Sequence, residues 1–129
     1  MIMEGTYDLK VYRGRYDFAQ DLGAISTITL RADSPLPLGS VIIGGYIDVQ
    51  TALTSGGAAT VALQAEAAND LQTAITVAGA PWSTTGRKAI TPVFTAASMI
   101  KTTASRAPAM LIAAFTVTAG KFDLVLLYI

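Results

Sequence analysis

The chain has 129 residues, 52% of them hydrophobic and only 14% charged, with nine basic and nine acidic side chains and a formal net charge of zero. An ordinary domain carries about 25% charged residues, so this one lacks both the basic field that attracts nucleic acid or acidic membrane and the self-repulsion that keeps proteins apart. It contains no cysteine and no histidine, which excludes disulfides, Ser-His-Asp and Cys-His nucleophile systems, and the usual zinc and transition-metal sites.

The first stretch, MIMEGTYDLKVYRGR, places Glu4 and Asp8 where a signal peptide is basic and then apolar, so no targeting segment is expected. Nine of the eighteen charged residues fall between Glu4 and Asp33. Residues 1–20 are expected to form an extended N-terminal arm or edge strand, and residues 21–129 a β-sandwich domain. Tyr7, Leu9 and Val11 alternate as a candidate first strand. KVYRGRY interleaves Lys10, Arg13 and Arg15 with Tyr12 and Tyr16. Asp8, Asp17 and Asp21 dilute its positive charge, so contact with protein is favoured over nucleic acid; arginine and tyrosine are the residues that interfaces enrich.

AISTITLRA, around Ile25 to Leu30, is β-branched and reads as strand. SPLPLG is extended, because Pro35 and Pro37 oppose helix. From Val41 one parity runs Val41, Ile43, Gly45, Ile47, Val49, Thr51, Leu53, the alternation of a strand with one apolar face. A turn cluster at Gly56 and Gly57 follows, and then Val61, Leu63 and Ala65 alternate with Thr60, Gln64 and Glu66. The pattern predicts a long β-hairpin. From Leu36 to Ala67 only Asp48 and Glu66 are charged.

NDLQTAI predicts one short helical turn capped by Asn69. AGAPWSTTG is loop, and Trp82 within it reads first as an anchor onto the sandwich and second as a ligand contact. ASMIKTTA is a weak strand. AMLIAAFTVT and KFDLVLLYI are strong strands, with a second hairpin expected at Ala119–Gly120. Both of these strands are apolar on both faces, which demands cover on both. A loop or a neighbouring subunit supplies the second cover; the low charge favours the subunit, and with it Leu124, Leu126 and Tyr128 as contacts. Seven or eight strands with regular turns make an all-β protein, expected to be an antiparallel β-sandwich that is jelly-roll-like by strand length and unequal connections.

A spanning helix needs about 20 apolar residues; the best run, Ala107 to Val117, is shorter and ends in threonines, so no membrane role is expected. No phosphate loop occurs, since Gly86 before Arg87-Lys88 has no upstream glycine at the required spacing. Asp17 with Asp21, and Asp48 with Glu66 across the first hairpin, are the carboxylate pairs to weigh for sugar chemistry, with Trp82 as the platform. Solvated surface charge is the plainer account of them. Neither an enzyme nor a cofactor is expected.

The segment DLGAISTITLRADSPLPLGSVIIGGYIDVQTALTSGGAATVALQ resembles small structural proteins of tailed bacteriophages. The matching features are Leu36-Pro37-Leu38-Gly39-Ser40-Val41-Ile42, the YIDVQTAL strand from Tyr46 to Leu53, the Ser/Gly turn before ATVALQ, and the closing TVTAGKFDLVLLYI. The resemblance covers Asp21 to Ile129 and is to capsid decoration, or cement, proteins. It implies a non-enzymatic jelly roll on the outer surface of a phage head, made in the host cytoplasm. Its implied partners are the major capsid protein and copies of itself, as a trimer or dimer. Expected interface residues are Tyr7, Lys10, Tyr12, Arg13, Arg15, Tyr16, Tyr46, Trp82, Leu124, Leu126 and Tyr128. The alternatives are another virion part, such as a head-fibre base or tail subunit, and a carbohydrate-binding sandwich.

Overall fold

Two long strands, each flanked by shorter ones, carry the architecture. The computed structural model describes residues 8–95 and 99–129. In chain order the elements are β1 (Lys10–Asp17), α1 (Phe18–Asp21), β2 (Ser26–Thr29), β3 (Val41–Ser55), β4 (Thr60–Gln64), β5 (Gln72–Thr76), β6 (Gly86–Ala89), β7 (Ile100–Lys101), β8 (Ala109–Ala113) and β9 (Val117–Tyr128). One sheet has the order β1-β9-β3-β6, with β7 also pairing β3; the other has the order β2-β8-β4-β5. All pairings are antiparallel. These two orders define a jelly roll: β3 and β9 pair in the first sheet, and their chain neighbours β4 and β8 pair in the second. The expected all-β, jelly-roll-like sandwich is therefore the observed fold.

The ribbon bends from one sheet to the other at a single corner. There Ser55 Oγ donates to Thr116 O at 2.7 Å, and the Thr54 and Thr118 hydroxyls meet at 2.8 Å. The Phe115 ring lies on Gly57, where an added Cβ would come within 2.5 Å of it.

This corner corrects both expected hairpins. β3 and β4 are not partners across Gly56–Gly57, because they belong to different sheets. Ala119–Gly120 is no turn; it lies inside β9, and β8 passes to β9 through residues 114–116. Alternation identifies a buried face, but it does not say whether the next strand lies beside that face or opposite it. Gly120 has φ +145° and sits against Leu53 of β3, a close approach that its missing side chain permits.

The core lies between the sheets. Ile47, Val49, Phe122, Leu124 and Leu126 of the first sheet face Val61, Leu63, Met110 and Ile112 of the second. Each such side chain contributes about 1.5–3 kcal/mol when fully buried. β1 joins this core as the outer strand of the first sheet, with all eight residues in register with β9. Its parity is the reverse of that expected. Leu9 and Val11 are each 57% exposed, while Tyr12 and Tyr16 are buried. In β3 a bulge between Ile42 and Gly44 likewise buries Ile42 and turns Ile43 outward.

The predicted helical turn at Asn69 is absent. Asn69 takes a left-handed conformation, φ 60°, that short polar residues tolerate, and Gln72–Thr76 runs on as β5. Asp70 organises this turn instead, its carboxylate accepting from the N–H groups of Ala65, Glu66 and Ala67 at 2.8, 3.0 and 2.9 Å. α1 is a four-residue turn whose first N–H groups are satisfied by Asp17, through a bond from Ala19 N at 3.0 Å.

Candidate functional site

The outer face of the first sheet gathers most of the accessible charge that the strands carry. Residues in register across an antiparallel sheet share a face. One row runs Arg15, Asp123, Asp48, Arg87 across β1, β9, β3 and β6. The next runs Arg13, Val125, Tyr46, Ala89. Beyond β1 the first row extends to Arg31, since Arg15 N donates to Arg31 O at 2.9 Å and Arg31 N to Arg15 O at 3.0 Å. Arginine, arginine, aspartate, aspartate and arginine thus span the sheet.

Diagonal contacts lace the rows together. Arg13 Nη1 lies 3.7 Å from Asp123 Oδ2, and the Arg87 guanidinium sits 5.6 Å from the centre of the Tyr46 ring. Arg31 Nε reaches Asp21 Oδ1 at 3.1 Å. Asp21 also accepts from Asp17 N at 2.9 Å, so the Asp17–Asp21 pair caps α1 and holds Arg31. Arg13, Arg15, Arg31, Ala32 and Asp33 line a notch of about 270 Å³ at the β1 edge. Beside it a second hollow of about 210 Å³ is lined by Val11, Tyr12, Arg13, Asp33, Ser34, Pro35 and Tyr128.

These rows explain why β9 is apolar on both faces. Val125 is 3% exposed and Asp123 8%, yet neither belongs to the core between the sheets. In register with Val125 stand Arg13 and Tyr46 of the same chain. Around Val125 the second face of β9 is covered by the chain's own neighbours: the long stems of arginine and tyrosine shield apolar surface while their polar ends stay wet.

The expected interface residues divide three ways. Arg13, Arg15 and Tyr46 come together on the outer face. Lys10 and Tyr128 pair in register at one end of the sheet, Lys10 exposed and Tyr128 partly buried against the core. Tyr12, Tyr16, Trp82, Leu124 and Leu126 are buried at 4% exposure or less, so this fold gives their side chains no outer surface to present. Tyr7 lies outside the described residues.

The buried aromatics have structural partners. Tyr16 donates to Leu22 O at 2.6 Å. Its ring and that of Trp82 both pack on Phe122, with centroids 5.5 and 5.1 Å away. Trp82 Nε1 donates to Val61 O at 3.1 Å, and its carbonyl accepts from Leu53 N at 3.0 Å, joining the two sheets. Burial pushes the Tyr12 and Tyr16 hydroxyls up to about 12, with Asp21 and Asp17 adding to the shift at Tyr16.

The carbohydrate alternative loses its platform and its carboxylate pair. Trp82 is fully buried. Asp48 is opposite Asp123 on the first sheet, whereas Glu66 follows β4 of the second and is engaged by Arg106. Among the described residues there is no group of three His, Cys, Asp or Glu able to hold a metal, and no helix long and apolar enough to cross a membrane. Sequence reasoning missed Arg31, Arg87 and Asp123. They lie on three separate segments, and which segments are neighbours is not written in the sequence.

No protein-family profile matches this sequence, and no curated protein matches it either. Its shape does match solved structures. The fold is that of chains found in phage capsid structures. A chain of the capsid of Ralstonia phage GP4 superposes with a TM-score of 0.69 at 20% identity, covering 100% of this chain and 88% of that one. One in the cyanophage Pam1 capsid asymmetric unit gives 0.62 at 20% identity, over 94% and 84%. One in the acidic stable capsid of Helicobacter pylori bacteriophage KHP30 gives 0.61 at 11% identity, over 93% and 86%. At these identities the likeness establishes the jelly roll shared with the capsid chains.

Proposed function

We propose that this protein is a non-enzymatic structural component of a phage virion that binds the outer surface of the head and cements neighbouring shell subunits. The observation that carries this is the end-to-end match to capsid chains, 100% of this chain against 88% of the Ralstonia phage chain. That coverage makes the matched chain only slightly longer than this one. The absence of histidine and cysteine from the sequence supports a structural role over catalysis.

The proposed partners are the major capsid protein and further copies of this chain, as a trimer or dimer. Zero net charge favours association. So do the exposed apolar residues Val11, Leu38, Ile43 and Ile129 towards one end of the first sheet. A cement subunit that binds the expanded shell and not its precursor stabilises the expanded state by mass action. Repetition over the lattice makes modest contacts hard to reverse.

The test mixes purified protein with emptied, expanded heads and with unexpanded precursors, and pellets both. Saturable binding to expanded heads alone is expected. Binding to neither form, with retention on purified tails, would replace this reading by the tail-subunit or fibre-base alternative.

A further inference from the structure

We infer that the notch between β1 and residues 31–33 receives a single carboxylate side chain from a neighbouring shell protein, with Arg15 as its principal donor. This rests on the virion reading above and specifies the chemistry of one contact.

Arg15 and Arg31 are directly opposed in an antiparallel bridge, each bonded to the other's backbone. Like charges placed so repel one another. Arg31 is relieved by Asp21 at 3.1 Å, and Arg13 by Asp123 at 3.7 Å. The Arg15 side chain has no hydrogen-bond or ion-pair partner among the described residues, and it is exposed where it lines the notch. Asp21 and Asp123 are 11% exposed at their side chains and pair with Arg31 and Arg13; Asp123 also stands in register with Arg15 but forms no ion pair with it.

The arrangement leaves one unanswered guanidinium between two that are already answered. A single carboxylate supplies what is missing, and the planar fork of Arg15 matches it with two parallel bonds. Asp33 sets the selectivity. It lines the same notch and forms no ion pair with the three arginines. It therefore repels a polyanion while leaving room for one acid group. A nucleic-acid backbone needs several uncompensated cations in a row, and the carboxylates here interrupt such a row. A single carboxylate side chain of a neighbouring protein is the occupant that fits.

The test is an NMR titration of the arginine Nε–Hε resonances of the full chain. The probes are a capped hexapeptide with a single glutamate as its acidic residue, the same peptide with glutamine there, and a DNA oligonucleotide. The expected result is a saturable shift centred on Arg15 with the acidic peptide and none with the amide peptide. Arg15→Ala should weaken the acidic peptide about tenfold or more, and added salt should weaken it further. Arg15 is exposed and unpartnered, so this variant should melt like the parent. No saturable shift, or equal affinity in Arg15→Ala, would overturn the site. Tighter binding of the oligonucleotide would overturn the choice of partner. Head pelleting separates the two levels. If the parent attaches and Arg15→Ala attaches equally, the inference fails and the head-binding reading stands; if the parent does not attach, the head-binding reading fails.

Discussion

Arg106 holds Glu66 at two points, Nε to Oε1 at 2.8 Å and Nη2 to Oε2 at 3.2 Å. The pair ties the turn after β4 to the segment that leads into β8. Thr103 completes it, its N–H reaching Oε1 at 3.0 Å and its hydroxyl Oε2 at 2.7 Å. The Arg106 side chain, then the Thr103 hydroxyl and N–H, hold the Glu66 carboxyl down at about 2 against an ordinary 4.5.

That depression fixes the direction of a pH effect. The folded chain keeps Glu66 ionised where the unfolded chain protonates it. Its contribution to stability is complete above about pH 4.5 and is lost as pH falls towards about 2. Melting temperature followed through that window should fall less steeply in Glu66→Gln than in the parent. Parallel curves would remove the pair from the stability of the fold.

Two tyrosines on the same face of β1, with Gly14 between them, should respond in opposite ways. The Tyr12 hydroxyl is buried with no hydrogen-bond partner among the described residues, whereas the Tyr16 hydroxyl donates to Leu22 O at 2.6 Å. Tyr16→Phe should cost about 1–2 kcal/mol in urea unfolding, and Tyr12→Phe should be neutral or stabilising by about 0.5 kcal/mol. A loss at Tyr12 equal to that at Tyr16 would contradict the geometry. Both positions also test whether β1 belongs to the sandwich: as part of a free arm, neither would matter.

Trp82 is the single tryptophan and is fully buried. Its fluorescence should be blue-shifted and shielded from acrylamide until the global unfolding transition. Trp82→Phe loses the bond to Val61 O and should cost about 2 kcal/mol or more. Early quenching, before the sheets separate, would show that the loop opens on its own.

Strand type, the apolar face of most strands and the sandwich itself were legible in the sequence, because alternation at period two is strong from Ile47 to Leu53 and short β-branched runs bounded by turns recur along the chain. Pairing was not. Leu53, Gly57 and Val61 read equally well as a hairpin or as a corner between sheets. β1 misled because Tyr7, Leu9 and Val11 look more apolar than Tyr12, Gly14 and Tyr16, although Tyr12 and Tyr16 are the ones that fill the core. The outer-face charge row was beyond reach for the same reason. Arg31, Arg15, Asp123, Asp48 and Arg87 come from five separate segments, and only the sheet order brings them into line.

Gly120 offers a sharp check on the β9 correction. An added Cβ would stand 2.6 Å from Leu53 Cγ, at a φ of +145° that L-residues avoid. Gly120→Ala should cost about 1–3 kcal/mol in chemical denaturation. In an exposed hairpin turn the same change would be tolerated far better, so a silent variant would restore the turn and contradict the long β9.

The location of the protein in the particle is tested most directly by labelling intact, purified virions with a membrane-impermeant amine reagent and quantifying this chain against the major capsid protein by mass spectrometry. Many copies per head, in fixed ratio to the shell protein and labelled on unbroken particles, are predicted. Its absence from virions, or a few copies that stay with the tail when head and tail are separated, would contradict the account.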